Sequence, residues 1–353
     1  MPVLDLDRRG ARIGRAWLGR SSAVVRHGGK EAPLRVGRLM RGGMRSDAPV
    51  FTLTLDRPVD EGNRYPGLLL LLGTDSERIA KETLDPKCAY LAYLHAVRGW
   101  SGTELVALAV ALATAAGMER IRVHDNAHVP CGKNELSLSD ALLVTRGITF
   151  YGRLGFLPMP GGHDLEHEDA AAVVRGLCAS HAHAKRATVG ALRGYLKSVA
   201  AAMRRPKQGL RFWLAFDVGG VAYRLPVAPD NAAGKWNGGD KARAAAVLRF
   251  LLRSGATDAT PLVDVIDKAT RSGACSDLGN VFDLMRAPST YMAMRFDTGE
   301  FNQVTSADKG QAVLAAWPDH AHFHKIMRVR PMGLERPLGS GAGSTRLLTS
   351  YCQ

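Results

Sequence analysis

Long apolar runs are missing from this chain. The two longest, LLLLL at 68–72 and LVALAVALATAAGM at 105–118, stop short of the roughly 18 to 20 residues needed to span a bilayer. No membrane helix is expected. The opening MPVLDLDRRGARIGRAWLGR scatters charges where a secretory signal would carry an unbroken apolar stretch before a small-residue cleavage site. Zinc-type cysteine spacing is missing too. Cys88, Cys131, Cys178, Cys275 and Cys352 are an odd number, widely spread and without a CxxC pair, which fits a reducing, intracellular setting, cytoplasm or nucleus. No HExxH, GxxxxGK[ST] or GxSxG pattern occurs, so zincin, P-loop and serine-hydrolase chemistry have no sequence support.

Acidic residues are scarce at the beginning. Residues 1–45 hold eleven Lys and Arg against three acids, an excess of eight within a net charge of +14. Residues 1–32 therefore read as a basic arm, able to attract a polyanion such as nucleic acid without reading its sequence. With 353 residues, 46% of them apolar, two domains are expected.

The stretches at 32–40, 50–56, 67–73 and 88–97 are short, apolar or alternating, and bounded by Gly, Pro and Asp, as antiparallel strands are. The period then changes. Leu105, Leu108, Ala109, Leu112 and Ala116 follow helical spacing within 101–118, Ser101 and Glu104 form a capping box, and Gly117 suits the helix end. Alternation returns at 119–126, and a second helix is expected from about 139 to 154.

Arg98-Gly99 at the end of a strand, a Gly-containing turn, the long helix, a strand with Asn126 at its end, and the closing FYGRLGF at 150–156 together resemble the GCN5-related N-acetyltransferase superfamily over residues 33–160. The resemblance implies an α+β fold with a GNAT-like mixed central sheet flanked by helices. It implies acetyl-CoA as cofactor and an amine as acyl acceptor. The pyrophosphate would be gripped by the helix N-terminus at 100–104, with Val97, Arg98, Gly99, Ser101, Gly102, Thr103 and Asn126 as cofactor contacts. Backbone N–H groups at 93–97 would face the thioester oxygen. Tyr151 would protonate the leaving thiolate, with His95, His124 and Asp125 as candidate bases. Tyr151 is expected to face a cleft, while Phe150, Leu154 and Phe156 pack in the core.

Two departures accompany the resemblance. The phosphate loop, aligned on Thr103-Glu104-Leu105, is one residue short and keeps only its last glycine, with Trp100 and Ser101 where the family avoids side chains. The connection 127–147 is also longer than usual. A similar elongated layout occurs among acetyltransferase-like proteins of large DNA viruses, which makes a virion a second candidate location. The alternative function is an inactive acetyltransferase-like fold serving as a structural or nucleic-acid-binding module.

Beyond residue 160, the stretch 161–206 reads as a helical connector closed by Pro206. Residues 207–330 read as an α+β domain with hairpins around Gly219-Gly220 and Thr298-Gly299 and two helices between them. Residues 331–353, rich in Gly, Ser and Arg, read as a flexible tail. His163 with His167, His181 with His183, and His320, His322 and His324 were weighed as metal ligands, the last two groups on strands, and no metal is expected.

Overall fold

A computed structural model of the chain describes residues 3–8, 10–39, 50–60, 63–77, 83–95, 97, 99–131, 134–159, 170–203, 213–218, 220–226, 238–272, 275, 278, 290–305, 333–338 and 350–352. The fold is α+β, and the chain divides into two compact units, each threaded several times: 1–125, 151–170 and 331–348 form the first; 126–150, 171–330 and 349–353 form the second.

The first unit is built on one nine-stranded mixed sheet. In chain order its strands are β1 (Val3–Asp5), β2 (Ser22–His27), β3 (Lys30–Leu39), β4 (Val50–Asp60), β5 (Asn63–Thr74), β6 (Leu84–Leu94), β7 (Arg120–His124), β10 (Leu157–Pro158) and β15 (Gly333–Pro337). Their spatial order is β1-β2-β3-β4-β5-β6-β7-β15-β10. The four expected strands are β3 to β6, antiparallel to one another in succession. Helix α1 (Arg15–Leu18) precedes β2, and helix α2 (Gly102–Ala115) carries the chain from β6 to a parallel β7.

Register lines up one apolar face: Leu34 opposite Leu55, Val36 opposite Leu53, Leu53 opposite Leu70, Leu72 opposite Ala89, Leu91 opposite Val123, and Val123 opposite Leu334. All are buried, as are Leu105, Leu108, Ala109 and Leu112 of α2, which packs on β5, β6 and β7. The helix ends are those expected: the capping box forms at Ser101 and Glu104, and Gly117, with φ of 76°, closes a Schellman turn through Gly117 N–H to Thr114 O (3.0 Å) and Met118 N–H to Ala113 O (3.0 Å). The opposite face alternates in chemistry. A small cluster of Val50, Leu71 and Tyr90 adjoins a ladder in which Arg122 reaches Asp75 (2.5 Å) and Glu335 (2.7 Å) while Arg120 pairs with Asp85.

Residues 1–32 are not a free arm. β1 and β2 belong to the sheet, because Ala23 and Val25 alternate inward and are fully buried, and Arg26 and Lys30 are engaged by Glu31 and Glu104. Within 331–353, 333–337 is not a tail. β15 lies between β7 and β10, with Leu334 fully buried. The consecutive boundaries expected at 160, 206 and 330 therefore give way to interleaved ones, because a strand finds its partners by free edges rather than by chain order.

The second unit holds the hairpin β8 (His128–Cys131) and β9 (Asn134–Ser137), helices α3 (Leu138–Arg146), α4 (Ala170–Arg186), α5 (Val189–Met203), α6 (Gly238–Arg253) and α7 (Leu262–Ser272), and an antiparallel sheet of β11 (Trp213–Val218), β12 (Val221–Pro226), β13 (Thr290–Arg295) and β14 (Phe301–Thr305). Both expected hairpins of 207–330 are in that sheet. Leu262, Val265, Ile266 and Ala269 make a buried helical stripe on α7 and join Val144, Leu192, Tyr195, Leu196, Val247 and Leu251 in one core. The helix expected over 139–154 stops at Arg146, since Gly147 takes φ of 67° and ends it; residues 152–154 form a separate 3-10 turn. Within the helical connector expected at 161–206, the described residues form α4 and α5. Four of the five cysteines pair, Cys131 with Cys275 and Cys178 with Cys352, their Cα atoms 5.1 and 5.2 Å apart. Separations of 144 and 174 residues carry no local signature, so the pairings could not be read from the cysteine spacing.

Candidate functional site

The candidate site lies where β6 leaves β7. Pairing between these parallel strands ends at Leu91 opposite Val123, while β6 stays on β5 through Tyr93, Leu94 and the His95 amide, which donates to Gly67 O at 2.7 Å. Between Leu91 and Tyr93 the β5–β6 register slips by one residue, so Ala92 is a bulge. A bulge bends its strand and raises its twist, so the two strands part and the β7-side edge of 92–95 is left outside the ladder. Gly67 is required opposite, since a Cβ there would collide with Val97 Cγ2.

Beyond β6 the chain folds back on itself. Val97 and Trp100 form a β-bridge, Trp100 N–H donating to Val97 O (2.9 Å) across Gly99 at φ of 84°. The Trp100 indole is only 8% exposed. At the start of α2 the capping box engages two donors from within: Ser101 N–H donates to Glu104 Oε2 (2.8 Å) and Glu104 N–H to Ser101 Oγ (3.3 Å). Lys30 Nζ donates to Glu104 Oε1 (2.7 Å) and to Gly99 O (2.6 Å) and stands 5.6 Å from the centre of the Trp100 ring. Hydrogen bonding from Lys30, then from the Ser101 amide and hydroxyl, pulls the Glu104 carboxyl down to about 2. A carboxylate thus sits permanently at the positive end of the helix dipole.

Tyr151 is 6% exposed, contrary to the expectation of a cleft-facing phenol. It precedes the 3-10 turn at 152–154, which Arg336 braces by donating to Leu154 O (2.9 Å), and its ring meets Phe156 edge-on at 5.7 Å. Phe156 is fully buried, whereas Phe150 and Leu154 are only half-buried. Burial, then the charge of Asp125 and the proximity of Tyr90, push the Tyr151 phenol far above the usual tyrosine range. Such a phenol donates hydrogen bonds but is a poor acid, because a thiol that ionises near about 8.5 would receive its proton uphill. Asp125 is itself 2% exposed. Of the candidates, Tyr151 and Asp125 are thus brought near each other, with Tyr90 beside them.

The remaining candidates separate. His95 is exposed and stacks on Tyr93 with ring centres 6.3 Å apart; His124, at the end of β7, is exposed as well. Gly102 and Thr103 open α2 beside Ser101, and Asn126 begins the second unit, its carbonyl 2.7 Å from His128 Nδ1. Arg98 lies outside the described residues, as do His163, His167 and the histidines at 320, 322 and 324. His181 and His183 are on α4 rather than a strand, so their two-residue spacing points them to different sides. Among the described residues no cluster of His, Cys, Asp and Glu is placed to hold a metal, and no helix is long and apolar enough to cross a membrane.

Sequence reasoning missed Lys30. Its distance of 74 residues from Glu104 left no local pattern, although the capping-box glutamate that it neutralises was legible. The free thiol, Cys88, is buried and pushed up to about 12, chiefly by burial, and is unreactive. No family model matches the chain, and neither a curated protein nor a solved structure matches it.

Proposed function

We propose that this protein is an acetyltransferase-like scaffold closed to acyl-CoA from within, serving as a structural module rather than an acyl-transfer enzyme. The GNAT-like part of the reading rests on antiparallel strands leading through a bulged β6 and the helix α2 to a parallel, diverging β7. One observation carries the loss of activity: a carboxylate, Glu104, stands at the start of α2 where a pyrophosphate would meet the amides, hydrogen-bonded by Lys30 and Ser101. A second anion there would have to displace the first or be repelled by it. The raised Tyr151 phenol points the same way. The basic excess of residues 1–45 keeps nucleic acid as a partner class.

A second reading, an N-acetyltransferase acting on an amine, is favoured by the parting of β6 from β7 after Leu91, beside the stretch where a thioester oxygen would lie. Acetyl-CoA titration with thermal denaturation separates the two. The scaffold reading expects no change in Tm. Stabilisation approaching about 2.7 kcal/mol at a hundredfold excess over Kd would overturn it.

A further inference from the structure

The second unit contains two disulfides of opposite accessibility. Cys131 and Cys275 are each 1% exposed and lie in the unit's apolar core. Cys178, on α4, and Cys352 are half-buried. Disulfides open by attack of a thiolate on a sulfur atom, so access decides which bridge exchanges in the folded protein.

The accessible bridge holds a defined latch. Segment 350–352 lies on the turn that ends α3: Tyr351 N–H donates to Gly147 O (3.0 Å), Ser350 Oγ donates to the same carbonyl (3.4 Å), and the Tyr351 and Thr149 hydroxyls are 3.1 Å apart. His181, one turn beyond Cys178 on α4, approaches Val144 O through Nδ1 at 2.9 Å. The packing around Gly147 is close, since a Cβ there would come within 2.9 Å of both His181 Cδ2 and Ser350 Oγ. Three elements thus converge on a single residue, and the Cys178–Cys352 bond is their covalent tie.

We propose that Cys178–Cys352 is a reversible redox modification site whose reduction by a dithiol releases segment 350–352 while Cys131–Cys275 stays closed. A dithiol thiolate attacks one sulfur of the bridge, the other leaves as thiolate and takes up a proton, and the second thiol of the reductant then resolves the mixed disulfide. Two electrons pass to the protein, which ends with two thiols, and the dithiol ends as its own disulfide. Without the tie, segment 350–352 is held by non-covalent contacts alone, its hydrogen bonds at Gly147 and Thr149 among them, and local opening becomes easier.

The test uses the full native chain under graded dithiothreitol, quenched with iodoacetamide and mapped by peptide mass spectrometry. Cys178 and Cys352 are expected to alkylate at least about tenfold faster than Cys131 and Cys275. Tyr351 amide hydrogen exchange should accelerate in step, with helical circular dichroism retained. Equal rates for the two pairs, free Cys178 and Cys352 in the oxidised protein, or Tyr351 exchange indifferent to reduction would each overturn the proposal. Cys352→Ser should reproduce the faster exchange without reductant; if that variant does not fold, the reduction series decides alone.

Discussion

The two units solve the same problem by different means. The first buries a ridge of Leu, Val and Ile along one continuous sheet, beneath a helix capped at both ends, and its one cysteine is an inert thiol. The second packs, among its described residues, five helices, a two-stranded hairpin and a separate four-stranded sheet, and carries both disulfides. An extended ladder distributes cohesion over many backbone hydrogen bonds and a shared apolar face. Shorter elements drawn from distant stretches of chain hold together less cooperatively, and a covalent tie restricts the unfolded chain in their favour.

Removing the buried tie gives the largest expected effect. Cys131→Ser with Cys275→Ser opens a loop of 144 residues and should destabilise the second unit by up to about 5 kcal/mol on the chain-entropy account. Chemical denaturation followed by hydrogen exchange should show its helices unfolding first while the nine-stranded ladder stays protected. Simultaneous loss of both would show that the units are not independent. Next in size is Leu334→Ala, which empties a fully buried position of β15 and should remove about 3 kcal/mol from the first unit, read as a lower urea midpoint. A surface-like response there would argue against β15 as an interior strand.

Gly67→Ala sharpens the comparison within the first unit, because its Cβ meets Val97. Overpacking of this kind should take about 1 to 3 kcal/mol and disturb the β6 bulge, visible as exchange at the His95 amide. The smallest effect belongs to Glu104. Its carboxyl is depressed in the folded state to about 2 from an ordinary 4.5, so its stabilising contribution is fully present above pH 4.5 and is lost as pH falls through about 2. Glu104→Gln should flatten that part of the stability curve by modestly lowering stability at neutral pH, where the carboxylate contributes in full, while leaving the value below about pH 2 nearly unchanged. An identical acid limb in the variant would place the dependence elsewhere.

Local period made much of the first unit readable. Alternation at 32–40 and 50–56 and the three- and four-residue spacing of α2 are consequences of side-chain geometry within one element, and the Ser101–Glu104 box is a contact three residues long. The candidate site was legible only as a place. Its chemistry turned on Lys30, which crosses from β3, and on the burial of Tyr151, which depends on Phe156 and on Arg336 bracing the intervening turn. GLERP at 333–337, with one large apolar residue among Gly, Pro and charges, has no strand pattern of its own and becomes a strand because β7 and β10 offer it two edges.

The order of neighbouring residues, by itself, determined the strands β3 to β6, the limits of α2, the hairpins around Gly220 and Gly299, and the carboxylate at the head of α2, because each is settled by forces acting within a few residues. Tertiary structure alone decided that β15 enters the sheet, that Cys131 finds Cys275 and Cys178 finds Cys352, and that Lys30 locks Glu104. These contacts join residues far apart in the chain, and chain closure over such distances leaves no periodic trace in the residues it brings together.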